Sequence, residues 1–317
     1  MPVLTVHHRT TYRYRRPVEF GEHRMMVRPR DSHDQQQVGA SLEITPTPAV
    51  LRWSQDVFGN NVATARFSGR AKELTFLSTL QVDHQPQGSE GIEAAMDDHA
   101  RSYPFSYDSG DMPDLMRLVE RQYQDPSRAL TDWVRSILHA DGAAGTLGIL
   151  AAMTQRIRRQ FTYRARHEHG VQPPATTLRL GTGTCRDFAV LMMEAARCLG
   201  LATRFVSGYI YVPSRDWPGA EYRGGGNTHA WLQVYLPGAG WVEFDPTNAI
   251  IGTRDLIRVA TVRDPRQAMP LSGSWMGAAG DCLGMEVAIR VTSEDTQRAR
   301  PAMLASGLRS QVISPQH

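Results

Sequence analysis

The first ninety residues alternate apolar and polar positions in several short runs, a pattern typical of β-strands with one buried face. The clearest runs, residues 4–14 and 74–82, are rich in β-branched and aromatic side chains. Two further runs end at prolines, which cannot donate a hydrogen bond to a neighbouring strand. A Gly-Asn pair at 59–60 predicts a turn between two more strands. Residues 1–90 are therefore predicted to form an antiparallel β-sandwich or barrel-like unit.

Further along the chain the apolar residues recur three and four positions apart, which predicts helices. This spacing covers residues 127–139 and 146–161, and it returns in the stretch that opens at Cys185. In that last stretch Phe188, Leu191, Met192, Ala195 and Leu199 define one apolar face, and Gly200 provides a stop signal. We therefore expect a third helix whose first residue is a cysteine and whose apolar face packs on a core.

The two patterns are separated by residues 85–113, which are rich in polar residues, glycine and proline and therefore predict a linker. Alternating strands return after the third helix, at 202–212, 229–236, 241–244 and 285–291. This order of elements predicts an α+β protein. Its predicted parts are an N-terminal β domain over 1–90, a catalytic core over 91–291 and a loosely held C-terminal tail over 292–317.

Composition excludes several classes of protein. Of the 317 residues, 41% are hydrophobic and 21% are charged, which is an ordinary globular balance. The net charge of +3 and the scattered arginines give no reason to expect a nucleic-acid partner. No apolar run approaches the roughly 20 residues of a membrane span, and the first nine residues lack the apolar core of a secretory signal. The chain is therefore expected to be cytoplasmic, without a membrane partner, and its oligomeric state is left open.

The cysteines and acidic residues predict no metal or cofactor. The three cysteines, Cys185, Cys198 and Cys282, are too few for a disulfide framework and lack the paired spacing of a zinc site. No acidic loop has the ligand spacing of a calcium site. We therefore predict a calcium-independent protein in a reducing compartment, with Cys198 and Cys282 as small buried residues.

Cys185 has the setting of a reactive thiol. It follows a glycine-bearing turn and lies in the first turn of its predicted helix. Thr184 and Asp187 have the spacing of a capping box, with Asp in place of the more common Glu or Gln. The unpaired N–H groups and the positive end of the helix dipole at this point favour a thiolate over a thiol.

His229 and Asp245 follow Cys185 in the order of a thiol nucleophile, its base and the group that orients the base. A turn at 237–240 places them on adjacent strands of a hairpin, close enough for Asp245 to accept an imidazole N–H. The other ring nitrogen would then face Cys185. Each residue alone has an ordinary structural explanation, but the three together predict a catalytic triad. The glycine run at 224–226, with Asn227, predicts a loop that gates the site.

Several motifs closely resemble the bacterial transglutaminase-like superfamily. They are Gly183-Thr184-Cys185-Arg186-Asp187-Phe188-Ala189, Arg204-Phe205-Val206-Ser207-Gly208-Tyr209, Thr228-His229-Ala230-Trp231 and Gly240-Trp241-Val242-Glu243-Phe244-Asp245-Pro246-Thr247. Tyr12-Arg13-Tyr14, Met26-Val27-Arg28-Pro29-Arg30 and Asp56-Val57-Phe58-Gly59-Asn60 resemble the N-terminal β domain of the same family. The resemblance extends over residues 1–291. It implies a papain-like α+β core in which Cys185, His229 and Asp245 occupy the catalytic positions.

These residues predict covalent catalysis on a carboxamide or peptide carbonyl through a thioester on Cys185. The substrate would be a protein or peptide that offers a glutamine or a backbone amide. Either water or an amine acyl acceptor could resolve the thioester, and the triad is the same in both cases. The fold that the resemblance implies hosts proteolysis, deamidation and cross-linking. A non-catalytic binding or scaffold protein is the alternative, but such a protein would be expected to have lost a triad residue.

Overall fold

The computed structural model describes residues 3–139, 145–166, 168, 170–212, 223, 226–293 and 311–313. Its strands are Val3–Met25 (β1), Gln35–Thr45 (β2), Val50–Gln55 (β3), Asn61–Arg66 (β4), Arg70–His84 (β5), Thr162–Tyr163 (β6), Thr182–Gly183 (β7), Thr203–Ile210 (β8), His229–Leu236 (β9), Gly240–Asp245 (β10), Ile250–Ile251 (β11), Leu256–Val262 (β12), Leu271–Met276 (β13), Cys282–Ser293 (β14) and Gln311–Ile313 (β15). Its helices are Ser89–Ala95 (α1), Asp98–Arg101 (α2), Met112–Val119 (α3), Ala129–Leu138 (α4), Gly145–Gln160 (α5), Pro174–Leu180 (α6) and Cys185–Cys198 (α7), with short 3₁₀ helices at Pro265–Gln267 and Ala279–Asp281.

The predicted N-terminal unit supplies five strands, β1 to β5, of an eight-stranded antiparallel sheet organised around β1. The first part of this long strand pairs with β5 and β14, and its second part pairs with β4 and β13. Side chains alternate between buried and less buried positions along most of β5, as the sequence pattern predicted. The predicted turn lies between β3 and β4, where Gly59 has a φ of 75°, a value that favours glycine.

The late strands do not follow the predicted division of the chain. β13 and β14 lie within the predicted catalytic core, yet both pair with β1 of the N-terminal sheet. Of the predicted C-terminal tail, Thr292 and Ser293 complete β14, and Gln311–Ile313 pairs with β14 as β15. The rest of the tail lies outside the described residues. Periodicity predicted the 285–291 strand but could not show its pairing partner, because strand pairing is non-local.

The predicted linker contains secondary structure. Helices α1 and α2 and the start of α3 lie within residues 85–113. Ile92, Met96 and Ala100 from this segment are buried in the main hydrophobic core. Each helix contributes only one or two buried apolar positions, so no helical repeat is visible in the sequence. The helices over 129–138 and 145–160 agree with the predicted ones.

The predicted catalytic core is built on a five-stranded sheet in the order β11-β10-β9-β8-β12. Apolar side chains of α7 pack against Ala230, Leu232 and Val234 on one face of β9. Towards the N-terminal sheet, Tyr209 of β8 and Ile257 of β12 join a hydrophobic cluster with residues of β1 and β5. The cysteine-bearing helix therefore packs on β9, and the N-terminal sheet packs against the end of β8 and β12.

Helix α7 is buried on more sides than the sequence pattern, with its single apolar face, predicted. Its predicted core residues are buried, except Leu199, which follows the last helical residue and is half-buried. Glu194 and Arg197, on the predicted polar side, are also buried and form an ion pair with an N–O distance of 2.9 Å. The chain from the end of α3 to Tyr123 covers that side, since Glu194 accepts the Tyr123 N–H at 3.1 Å and Arg197 donates to the Leu118 carbonyl at 3.0 Å, which the sequence pattern of α7 alone could not reveal. No helix in the described ranges combines the length and apolar character needed to cross a membrane.

Candidate active site

Cys185 is the first residue of α7, and side chains around it fix the start of the helix. The Thr184 hydroxyl accepts the Asp187 N–H at 3.4 Å, and the Asp187 carboxylate accepts the Thr184 N–H at 2.8 Å. This confirms the predicted capping box. A Cβ at Gly183 would lie 2.9 Å from that of Asp187, so the tight turn before Cys185 requires glycine.

Asp187 also ties a neighbouring segment to the start of the helix. Its fully buried carboxylate accepts two hydrogen bonds from the Arg166 guanidinium, at 2.8 and 3.0 Å. It accepts a further one from the backbone N–H of Gln172 at 2.7 Å. The buried charge is therefore paired and hydrogen-bonded, which is the condition under which such a group is stable. As a result, Cys185 is presented on a rigid turn.

His229 and Asp245 meet at the end of the β9–β10 hairpin, as the sequence predicted. Nε2 of His229 lies 2.7 Å from Oδ2 of Asp245, and both side chains are fully buried. The other carboxylate oxygen of Asp245 accepts the Thr247 N–H at 2.9 Å. This second hydrogen bond holds the carboxylate of Asp245 in place beside the imidazole.

The Cys185 side chain lies near the imidazole ring of His229. Nδ1 of His229 is sealed from solvent and makes no conventional hydrogen bond with any described residue. The Cys185 side chain nevertheless interacts with the ring closely enough to raise its pKa. The three predicted residues are thus brought together, with Nδ1 left available to the sulfur.

The electrostatics of the pair favour a charged imidazole. Burial by itself lowers the pKa of His229, but the charge and hydrogen bond of Asp245, with a contribution from Cys185, raise it to about 10. Burial by itself raises the pKa of Asp245, and its interaction with His229 outweighs this and lowers it. At neutral pH the site therefore favours an imidazolium against a carboxylate.

Tyr163 is a member of the site that the sequence did not predict. The two-residue strand β6 pairs in parallel with β7, which sets Tyr163 opposite Gly183, two residues before the cysteine. The Tyr163 hydroxyl interacts electrostatically with the Cys185 side chain. Burial, with the nearby Cys185 and carboxylates, raises the pKa of Tyr163 well above its usual value, so the hydroxyl remains a proton donor.

Asn248 and Trp231 support the histidine and its carboxylate and were likewise missed. Nδ2 of Asn248 donates to Oδ2 of Asp245 at 2.9 Å. The Trp231 ring stacks on His229 with centroids 5.8 Å apart and planes 28° apart. Their nearness in sequence to His229 and Asp245 was the available signal, because a side chain two or three residues from a site residue commonly shares its surroundings.

Two predictions about the surroundings remain open. Gly224 and Gly225 of the predicted gating loop lie outside the described residues. Within the described part of the chain, no group of three or more His, Cys, Asp or Glu side chains is placed to share a metal ion. Calcium independence stays a prediction.

Family comparisons agree with the fold. Residues 4–83 match the model of the bacterial transglutaminase-like N-terminal region, and residues 123–246 match that of the transglutaminase-like superfamily. A solved structure from Cytophaga hutchinsonii, assigned as a candidate cysteine protease, superposes with a TM-score of 0.68. It shares 18% sequence identity, and the match covers 99% of this chain and 98% of that one. The predicted α+β fold with a transglutaminase-like core is therefore confirmed.

Two relatives illustrate the range of the similarity. An uncharacterised protein of Mycobacterium tuberculosis is 30% identical over 298 residues, which cover 84% of this chain and 86% of the relative. A protein-glutamine gamma-glutamyltransferase of Pseudomonas aeruginosa is 29% identical over 145 residues, covering 40% of this chain and 19% of the relative. The similarity to the first extends along most of both chains, whereas the second shares a segment.

Proposed function

Because this chain belongs to the transglutaminase-like superfamily, we propose that it is a cysteine-dependent enzyme that cleaves or exchanges carboxamide or peptide bonds. The observation that carries the proposal is the buried His229–Asp245 contact of 2.7 Å with Cys185 acting on the same ring. A scaffold protein has no need to bury a histidine with one nitrogen on a carboxylate and the other left to a thiol.

In the proposed reaction, the Cys185 sulfur attacks the carbonyl carbon of the substrate while His229 holds the sulfur's proton on Nδ1. The carbon–nitrogen bond then breaks, and His229 gives the proton to the departing ammonia or amine. Water or a primary amine next attacks the thioester carbon and loses a proton to His229, and the sulfur leaves as thiolate. Asp245 keeps the imidazole in the orientation that these transfers need.

The negative oxygen of each tetrahedral intermediate needs hydrogen-bond donors. The backbone N–H of Cys185 is one, because the first N–H groups of a helix have no partner within the helix. We assign the second to the Tyr163 hydroxyl, which lies beside the sulfur and stays protonated over the working range of pH. The β6–β7 pairing that positions the turn before Cys185 would also position the Tyr163 hydroxyl relative to the acyl carbon.

The class of substrate that we propose follows from the chemistry of the site. A protein or peptide that presents a glutamine side chain or a backbone amide supplies the acyl group, with water or an amine as acceptor. A cytoplasmic location is part of the same proposal, on the ground that the sequence has only three cysteines.

Cysteine labelling tests whether Cys185 is the nucleophile. Cys185 is buried, whereas Cys198 and Cys282 are partly exposed, so access alone favours labelling at the latter two. Burial also raises the pKa of Cys198, which disfavours its thiolate. We expect a haloacetamide to modify Cys185 first, as read by peptide mass spectrometry, and Asp245→Asn to slow that modification. Preferential labelling of Cys198 or Cys282 contradicts the proposal.

The fate of the acyl group is tested with a glutamine-containing peptide and a primary amine. A peptide–amine adduct identifies transfer, whereas ammonia release without an adduct identifies amidase activity, and chain cleavage identifies a peptidase. Cys185→Ala is expected to abolish each product, and Cys198→Ala, in the same helix, serves as the matched control. If Cys185→Ala retains product formation, covalent catalysis by this cysteine is wrong.

A further inference from the structure

A second polar site lies on the face of the central sheet that is turned away from α7. Gln233 of β9 and Glu243 of β10 are paired in the sheet, and both are buried. Side chains alternate along a strand, so they lie opposite the residues that contact α7. They line a cavity of about 230 Å³ between this sheet and the loop over residues 30–34 of the N-terminal sheet.

The carboxylates that line this cavity already have partners. Arg258 forms ion pairs with Asp34, at 2.9 Å, and with Glu243. Asp31 accepts the backbone N–H of Gln37 at 2.7 Å. The Arg258 guanidinium thus forms ion pairs with two of the three carboxylates, Asp34 and Glu243. The other two arginines that line the cavity, Arg204 and Arg30, form no ion pair with a described residue.

Arg204 is the inner of these two arginines. Its guanidinium lies over the Trp241 ring, 4.2 Å from the centroid, and its Nε donates to Oε1 of Gln233 at 2.5 Å. No carboxylate of the described residues forms an ion pair with it. A guanidinium has five N–H donors, so the four on Nη1 and Nη2 remain for another acceptor. Stacking holds the group in place without using those donors.

The charge of Arg204 is correspondingly unbalanced. Burial lowers its pKa to about 9, Arg258 and Arg30 act in the same direction, and Glu243 opposes them without offsetting them. A permanent cation held in a poorly solvated place gains stability from any anion that reaches it.

Arg30 is the more exposed of the two arginines that line the cavity. Its side chain is exposed, and it makes neither a hydrogen bond nor an ion pair with any residue in the described part of the chain. The exposed His33 lines the same cavity. The cavity is therefore lined by one exposed arginine, Arg30, and one half-buried arginine, Arg204.

We propose that this cavity is a binding site for a small oxyanion, a carboxylate or a phosphate, held by Arg204 and Arg30. Planar guanidinium donors match two oxygens of such a group at once, which a halide cannot offer. The cavity volume is several times the roughly 30 Å³ that one water occupies in the liquid, so a compact anion fits.

The site is separate from the catalytic residues. Glu243 lies two residues before Asp245 on β10, about 7 Å along the strand, and Gln233 lies four residues after His229 on β9, about 13 Å. Oxyanion binding therefore does not depend on the proposed reaction and can be measured in a protein without the nucleophile.

The test uses the full chain carrying Cys185→Ala, titrated by calorimetry with inorganic phosphate, with succinate and with chloride at equal ionic strength. We expect saturable binding of phosphate, succinate or both, and none of chloride. Arg204→Gln and Arg30→Gln should each weaken binding about tenfold or more, as expected for lost charge-assisted hydrogen bonds. Arg52→Gln, at an exposed arginine on β3, is the control and should bind like the parent protein.

Arg30 is exposed, so its variant keeps the test decisive even if Arg204→Gln fails to fold. Binding of phosphate alone assigns a phosphate site, and binding of succinate alone assigns a carboxylate site. Heats that match those of chloride, or binding that survives Arg30→Gln unchanged, overturn the proposal.

Discussion

The face of β9 and β10 that carries His229 and Asp245 also carries Gln233 and Glu243, and all four side chains are buried. At the first pair, a carboxylate meets an imidazole that can gain or lose its proton. At the second, Glu243 meets the permanent cation of Arg258, and Arg204 adds another cation beside it. The cation of the first site is an imidazole that can release its proton, whereas the cations of the second site are arginines.

The pKa values of the two carboxylates, Asp245 and Glu243, are therefore shifted in opposite directions. At Asp245, burial is outweighed by His229 and the pKa is lowered. At Glu243, burial prevails over Arg258, aided by the nearby Asp34, and the pKa is raised. Strands β9 and β10 thus carry the proposed acid–base site at one end and the proposed ion-binding site further along. The difference lies in the partner of each carboxylate, which is a histidine for Asp245 and an arginine for Glu243.

The largest expected effect is that of Asp245→Asn, which leaves the shape of the first site but removes its charge. We expect kcat to fall about 10⁴-fold, because the imidazole loses its orienting acceptor and its stabilised cation. In the parent enzyme kcat/KM should fall as pH rises through about 10, the pKa of His229, and in the variant this fall should occur at lower pH. Steady-state kinetics across pH measure both.

Glu243→Gln, on the same strand, is the matched control and should change kcat by no more than severalfold. The raised pKa of His229 also affects folding. Its stabilising contribution is fully present below pH 6.5 and is lost as pH rises through about 10. If Asp245→Asn and Glu243→Gln have equal effects on kcat, the distinction between the two sites is wrong.

Tyr163→Phe tests the donor side of the catalytic site. Loss of one oxyanion donor should lower kcat about 100-fold with little change in KM, because the donor acts mainly in the transition state. Tyr103→Phe is a suitable comparison, since the Tyr103 hydroxyl donates to the Leu199 carbonyl at the other end of α7. Equal losses in the two variants would indicate a general effect on the helix and not an oxyanion donor.

Local patterns were sufficient to predict that Cys185, His229 and Asp245 would lie together. Cys185 was visible as a helix start with a capping box, and His229 and Asp245 were visible as positions on one hairpin. These features depend on residues within a few positions of each other, where propensity and periodicity are informative.

The residues that complete the two sites depend on distant segments. Tyr163 is positioned by a two-residue parallel pairing, which is too short to produce a recognisable strand pattern. The oxyanion cavity combines the loop over 30–34 with β8, β10 and β12, so no single stretch of sequence contains it. For the same reason the pairing of β13 and β14 with β1 could not be predicted from their periodicity.

Asp34→Asn tests how much the ion pair between Asp34 and Arg258 contributes to the stability of the fold. Arg258 would lose one of its two carboxylate partners, and we expect a loss of about 2 kcal/mol in the free energy of unfolding at pH 7. Burial raises the pKa of Asp34, but Arg258 outweighs it and holds the pKa below the usual 3.8. The stabilisation is thus present above about pH 3.8 and is lost as pH falls through the lower folded value.

Urea unfolding at pH 7 and near pH 3 measures this effect. The difference between the parent protein and Asp34→Asn should shrink at the lower pH, whereas Glu43→Gln, an exposed position on β2, should have little effect at either. A difference that stays constant with pH would mean that the carboxylate charge of Asp34 contributes nothing.

The smallest effect is expected for Asn248→Ala, which removes a neutral neighbour of Asp245 and leaves all charges in place. The amide donates to Oδ2 of Asp245 at 2.9 Å and lies 3.5 Å from Nε2 of His229. It helps to lower the pKa of Asp245, so its loss should weaken the hold of that carboxylate on the imidazolium. We expect kcat to fall about fivefold, equivalent to roughly 1 kcal/mol, with KM unchanged. The alkaline fall in kcat/KM should move to slightly lower pH, in the same direction as for Asp245→Asn but by less. A purely structural role for Asn248 predicts a lower melting temperature with an unshifted pH profile, so the two measurements together decide whether this residue positions the pair.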